Sequence, residues 1–434
     1  MRPELILHIG QSKTGTSSIQ RCLGARREAL LAEGVLYPRS PGAANHALLP
    51  ASVLPAALVQ AGRLRDFHPN VWEGVSPEAR LARFRQDFAA EMAAMGPGVR
   101  RVILSAEQCA GLLVETEEIG RLHELLAPRF ASMRVVVYLR RQDQHAASSY
   151  AQALRVAVLR PPGLPEGGLE RLPGYDYARL LDRWAGVFGA ESVTPRIFEP
   201  GSLLGGDVVE DFLALCGLAL RIPKDDPARQ SNLSIGPEGL ALVRAMGSHL
   251  GQALPGGLSA GSPLWRRFMQ SVSEAMPGRG WRPAPEEAAG FMAGFAAVNE
   301  AVRGRWLPER SRLFSEDYGQ AASAESAPPT TEAVLAAACA LLAREITAAQ
   351  AREAQQATQL GRLQEQAGKP AAARSSYQAA LRAVPEHAAG HFFLALLDLA
   401  AGDRGAATAH LEVLRRAHPA DPFTARLERR VAGA

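Results

Sequence analysis

The stretch Gly10-Gln11-Ser12-Lys13-Thr14-Gly15-Thr16-Ser17-Ser18 follows a short apolar run and leads straight into a helical pattern. A turn of this kind delivers backbone N–H groups to a helix N-terminus, where they lack intrahelical acceptors and the helix dipole adds positive potential. Gly15 lets the backbone close on an anion, and Thr16, Ser17 and Ser18 add hydroxyl donors. Lys13 supplies the loop's one full charge. The chemistry on offer is the grip of a phosphate-like group. A second grip is expected where the apolar run Val135–Leu139 ends in Arg140-Arg141, with Ser149 eight residues beyond Arg141 in the helix-like segment Gln142–Arg155. A guanidinium fork and a hydroxyl can hold a phosphate without a metal. Neighbouring residues at a strand end point to opposite sides, so one arginine faces the crevice and the other does not. Arg141 is favoured over Arg140.

Lys13 precedes Gly15, whereas in the magnesium–nucleotide loop G-x-x-x-x-G-K-[ST] the lysine follows the last glycine, and the Val135–Leu139 run ends in arginine rather than aspartate. A nucleotide kinase or NTPase of the P-loop type is therefore the alternative reading. The order Lys13-x-Gly15-Thr16-Ser17 instead resembles the 5′-phosphosulfate loop of sulfotransferases that use 3′-phosphoadenosine 5′-phosphosulfate (PAPS). Arg141, Ser149 and the following Tyr150 resemble the same family's 3′-phosphate motif. Arg229-Gln-Ser-Asn232-Leu-Ser234 is similar to stretches in bacterial carbohydrate-type members, although the long R-K-G-x-x-G-D-W-K motif of the cytosolic enzymes is absent. The resemblance covers residues 4–319. It implies an α/β enzyme with PAPS as sulfuryl donor, Lys13, Thr14, Gly15, Thr16, Ser17, Ser18, Arg141, Ser149, Arg229, Asn232 and Ser234 as donor-binding residues, and a hydroxyl or amine acceptor, expected to be a carbohydrate.

Sulfuryl transfer, like phosphoryl transfer, passes through a loose transition state in which charge gathers on the leaving group, so positioning and charge stabilisation dominate. Lys13 is the residue expected to meet that charge. The acceptor proton needs a base. Glu107 follows the run Val102–Leu104, which places it at the carboxyl ends of parallel strands, and related bacterial sequences carry a similar Ser-x-Glu there. His46, in a Pro/Gly-rich loop, is the second candidate, as an assisting or acceptor-binding group. His8, inside the first apolar run, reads as a hydrogen-bonded core histidine.

The elements that must hold these residues are short apolar runs, Leu5–Ile9, Val102–Leu104, Val135–Leu139 and Val193–Phe198, alternating with helical patterns: a P-loop-like parallel sheet flanked by helices. Ile19, Cys22, Leu23, Arg26 and Leu30 recur at helical spacing after the loop, with Gly34 as the stop. A linker is expected over 320–331, which has no apolar period and contains Pro328-Pro329, and a separate amphipathic helix over Glu332–Gln350. Beyond it, an offset of 34 superposes Gly368 on Gly402, Ala373 on Ala407, Tyr377 on Leu411 and Pro385 on Pro419. This resembles the tetratricopeptide repeat (TPR), with Leu360-Gly361 and Leu394-Ala395 as first-helix contacts, and implies an all-α domain over 332–434 that takes a protein or peptide partner. A non-catalytic scaffold built from the two parts is the third reading.

Composition narrows the rest. In 434 residues, 48 Lys+Arg against 44 Asp+Glu leave a net charge of +4, too little for a general polycation, so no nucleic-acid partner is expected. The four cysteines are dispersed without metal-ligand spacing, and no metal is expected. No apolar stretch reaches membrane-spanning length, and the first apolar run is too short for a signal peptide; a cytoplasmic protein is expected.

Overall fold

The computed structural model describes residues 2–54, 76–229, 234–253, 263–319 and 330–433. Five strands, β1 (Glu4–His8), β2 (Val35–Leu36), β3 (Arg101–Ser105), β4 (Ser132–Leu139) and β5 (Val193–Ile197), form one parallel sheet in the order β2-β3-β1-β4-β5. The strands read as near-continuous apolar runs because helices cover both faces. Leu5, Leu7, Val102, Leu104, Val135, Val137 and Leu139 enter one core, around Trp184. Their neighbours Ile6, Ile103, Val136 and Tyr138 enter the other, with Ile19, Cys22 and Leu23 of helix α1 (Thr16–Ala25) and Phe212 of a later helix, Val208–Leu215.

β1 lies between β3 and β4, with His8 level with Ser105 on one side and Val136 on the other. Chain connections diverge to opposite sides of β1, and open sheets bind ligands at the carboxyl ends of strands at such a point. Three segments meet there: the loop after β1, the residues after β3 that open helix α2 (Gln108–Leu112), and the end of β4 that opens helix α3 (Gln142–Arg155). The helical pattern after the loop is broken once. Arg26 leaves the helical region at φ −124°, ψ 30°, and a second helix, Arg27–Ala32, ends at Gly34, whose φ of 76° is the left-handed stop expected of glycine.

Two compact units divide at Val334 and Leu335. Residues 320–329 of the expected linker lie outside the described residues. In the second unit the expected separate helix over 332–350 is corrected. One helix, α4 (Thr331–Gln366), runs through it, because nothing between Gln350 and Gln366 but Thr358 and Gly361 interrupts a series of good helix formers. Helices α5 (Pro370–Ala383), α6 (Ala388–Ala400), α7 (Arg404–Ala417) and α8 (Pro422–Gly433) follow as successive hairpins. The 34-residue offset has a physical basis. Gly368 and Gly402 take left-handed φ of 70° and 82° at equivalent turns, while Ala373 and Ala407, and Tyr377 and Leu411, are buried at equivalent contacts. Gly361 lies so close to Tyr377 that a Cβ would sit 2.4 Å from the ring, whereas Leu360 is 51% exposed.

Candidate functional site

The loop after β1 folds as an open anion cradle. Gly15 caps α1 at φ 78°, ψ 11°, with no side-chain cap, and a Cβ there would meet Val208 at 2.6 Å, so both conformation and space demand glycine. Among the described residues, no backbone or side-chain acceptor takes the N–H groups of Ser12, Lys13, Thr14, Gly15, Thr16 and Ser17. Ser17 is exposed. Two other hydroxyls brace the turn: Thr14 Oγ1 donates to the Gln11 carbonyl at 2.6 Å, and Ser18 Oγ to the Arg229 carbonyl at 3.1 Å. Thr14 keeps its N–H for a ligand. Ser18 does not, since its N–H bonds to the Gly15 carbonyl at 3.0 Å, and its expected ligand role is corrected to a structural one.

Lys13 sits at φ 66° with its Nζ 3.4 Å from Gln152 Oε1 on α3. Burial lowers its pKa, Glu107 facing it opposes that, and Arg155 and Arg140 lower it further. The neighbourhood therefore gathers three cations around one carboxylate, a surplus that favours an anion. Glu107 lies where the sequence put it, just past β3, with its backbone against Gly10 and its carboxylate accepting a hydrogen bond from Thr16 Oγ1.

The second grip requires a correction. Arg141 is 4% exposed and turned away from the loop: Nε and Nη2 clamp the Asp143 carboxylate at 2.8 and 3.0 Å, and Nη1 donates to the carbonyls of Ser315 and Asp317. Its guanidinium thus donates four hydrogen bonds within the protein. Arg140 is the residue beside the loop, with Nη1 donating to the Lys13 carbonyl at 2.8 Å, its guanidinium 5.5 Å from the centre of the Phe198 ring, and its Nε buried without a hydrogen-bond partner among the described residues. Burial lowers the Arg140 pKa, with Tyr177 opposing. The eight-residue spacing that links Arg141 to Ser149 also links Arg140 to Ser148. On α3, His145 meets Ser12 and Gln152 meets Lys13, so Ser148 and Ser149, three and four residues past His145, lie on the same helical stripe toward the loop.

His46 is also corrected. It is fully buried, its Nδ1 accepts from the Ser105 N–H at 3.1 Å, its Nε2 donates to the Pro38 carbonyl at 3.1 Å, and its ring stacks on Tyr37 at 4.4 Å. Burial pulls its pKa down to about 3, leaving a neutral strut with no free nitrogen for a substrate. His8 is a buried core histidine, 2.8 Å from Ser105 Oγ. Arg229 is corrected as well: its guanidinium pairs with Asp207 at 2.7 Å and Glu210 at 3.6 Å, and only its backbone reaches the loop, through Ser18. Asn232 lies outside the described residues, and Ser234 is exposed, its carbonyl bonded to the Gly278 N–H.

No protein-family model matches the chain, and no curated protein sequence matches it. Among solved structures, the crystal structure of a sulfotransferase from Alicyclobacillus acidocaldarius matches at 16% identity and a TM-score of 0.32, covering 71% of this chain and 98% of that one. So loose a superposition settles neither fold nor function.

Proposed function

We propose that the first unit transfers a sulfuryl group from PAPS to the hydroxyl or amine of an acceptor. One observation carries the reading: a lysine-bearing loop whose N–H groups have no acceptor among the described residues and a strand-end arginine, Arg140, bonded to that loop, lie together at the carboxyl ends of the sheet. The groups present fit a doubly phosphorylated donor. The N–H groups of Thr14 to Ser17 and Lys13 would hold its 5′ end, and Arg140 with Ser148 or Ser149 its 3′-phosphate. When bound, PAPS supplies the sulfuryl group and a bisphosphate leaving group.

Lys13 places its ammonium where charge gathers on the departing oxygen as the sulfur–oxygen bond to the donor breaks and the bond to the acceptor forms. Glu107 takes the acceptor's proton, and Thr16, bonded to Glu107 in the free protein, orients that carboxylate toward the loop. A carbohydrate acceptor rests on the sequence resemblance of the 229–234 stretch. The helical hairpins of the second unit we read as TPR-like, with a peptide partner.

One observation favours a second reading. The Thr16–Glu107 pair is also how a hydroxyl and a carboxylate would share magnesium in a P-loop NTPase, with the acidic residue just past the end of β3, the strand beside β1. Titration separates the two. Adenosine 3′,5′-bisphosphate is expected to bind at about micromolar Kd, near −8 kcal/mol, unchanged by EDTA and at least tenfold tighter than ATP. Magnesium-dependent binding and turnover of ATP would instead establish the NTPase.

A further inference from the structure

His145 takes no part in the chemistry above, yet it stands against the loop. Its Nε2 is 3.3 Å from Ser12 Oγ, its ring packs edge-on to Tyr175 at 5.3 Å, and its Nδ1 is buried without a hydrogen-bond partner among the described residues. The charged groups facing it are Lys13 from the loop and Arg140 from the end of β4. On its own helix, Asp143 is already clamped by Arg141. Tyr175 is neutral, its phenol pushed up to about 12 by burial. The imidazole thus has cations in front of it and no carboxylate of its own.

We propose that His145 is an anion-binding residue of the Lys13 loop, neutral in the free protein and protonated when a phosphate ester occupies the loop, so that donor binding draws in a proton. The inference rests on the reading of the loop as the donor's 5′ site. In the free protein, burial, Arg140 and Lys13 hold the imidazole pKa near 4. A phosphate placed on the loop reverses the sign of the local potential, and an opposite charge within about 4–6 Å favours the protonated form. His145 then becomes a charge-assisted donor through Nε2, in place of its contact with the neutral Ser12 hydroxyl.

Calorimetric titration of the full-length protein with adenosine 3′,5′-bisphosphate at pH 6.5, in two buffers of different ionisation enthalpy, counts the protons exchanged. The wild type is expected to take up about half a proton more than the His145→Gln protein, and the variant's affinity to be about fourfold weaker at pH 6 but within about twofold at pH 8.5. Equal proton counts in both proteins overturn the role of His145 while leaving the donor site standing. Failure of the wild type to bind the bisphosphate overturns the donor site and this inference with it. Should the variant not fold, NMR titration of the wild-type imidazoles decides: the His145 pKa must rise above about 6 on ligand addition, and an unmoved pKa contradicts the proposal.

Discussion

Replacing Lys13 with alanine is expected to lower sulfuryl transfer by roughly 1,000-fold while weakening bisphosphate binding only about tenfold. The asymmetry follows from where the charge acts. In the bound state the open N–H groups from Ser12 to Ser17 and the Arg140 guanidinium share the load, so one ammonium among them is a modest loss. On the departing oxygen, Lys13 is the loop's one cation, and charge that develops during transfer meets it alone. Alanine fits the same backbone at a similar cost, since Lys13 already holds φ 66° without the freedom of glycine. Rates with labelled PAPS, set beside binding by calorimetry, measure both numbers. Equal losses in the two would show that Lys13 serves binding only.

Exchanging the two neighbouring arginines should give opposite phenotypes. Arg140→Ala is expected to weaken bisphosphate binding by about 100-fold, because it removes the guanidinium that reaches the crevice, with little change in stability. Arg141→Ala should do the reverse. It strands the buried Asp143 carboxylate and frees the Ser315 and Asp317 carbonyls, at a cost of about 3–5 kcal/mol in stability. The double change Arg141→Ala with Asp143→Ala removes both charges and should recover part of that loss, with bisphosphate affinity within about threefold of wild type. Urea unfolding and calorimetry separate the outcomes, and a 100-fold affinity loss on Arg141→Ala with Arg140→Ala silent would reverse the assignment.

The error over these arginines shows where sequence reasoning stops. Strand parity requires one of the pair to face the loop, and that much was legible. Which one depends on the face of the sheet that carries α1. Val136 and Tyr138 share the core of α1's Ile19, Cys22 and Leu23, so the next even residue, Arg140, continues on α1's side, while Leu139 belongs to the opposite core. Both faces of β4 are apolar, and nothing in its residues marks one of them as the α1 face. Glu107, in contrast, takes its position from the end of an apolar run in a parallel sheet, and its backbone lies against Gly10. The burial of His46 is not legible, because a loop histidine in sequence carries no sign of the backbone that encloses it. Its partners, Pro38 and Ser105, lie 8 and 59 residues away. His145 and Gln152 meet the loop from the stripe of α3 that carries Ser149, and helical spacing from that serine is the signal in the sequence that marks them.

The repeats of the second unit were legible for a different reason. Left-handed turns need glycine, and close helix contacts need small residues, so Gly368, Gly402, Ala373 and Ala407 record the geometry directly in residue type. The length of α4 was not legible, because good helix formers do not announce where one structural role passes to the next.

The most direct test is a crystal structure with adenosine 3′,5′-bisphosphate. The 5′-phosphate should accept hydrogen bonds from the Thr16 and Ser17 N–H groups with Lys13 Nζ beside it, and the 3′-phosphate should lie on the Arg140 guanidinium. A nucleotide bound elsewhere, or a 3′-phosphate out of reach of Arg140 while the 5′-phosphate fills the loop, would contradict the account.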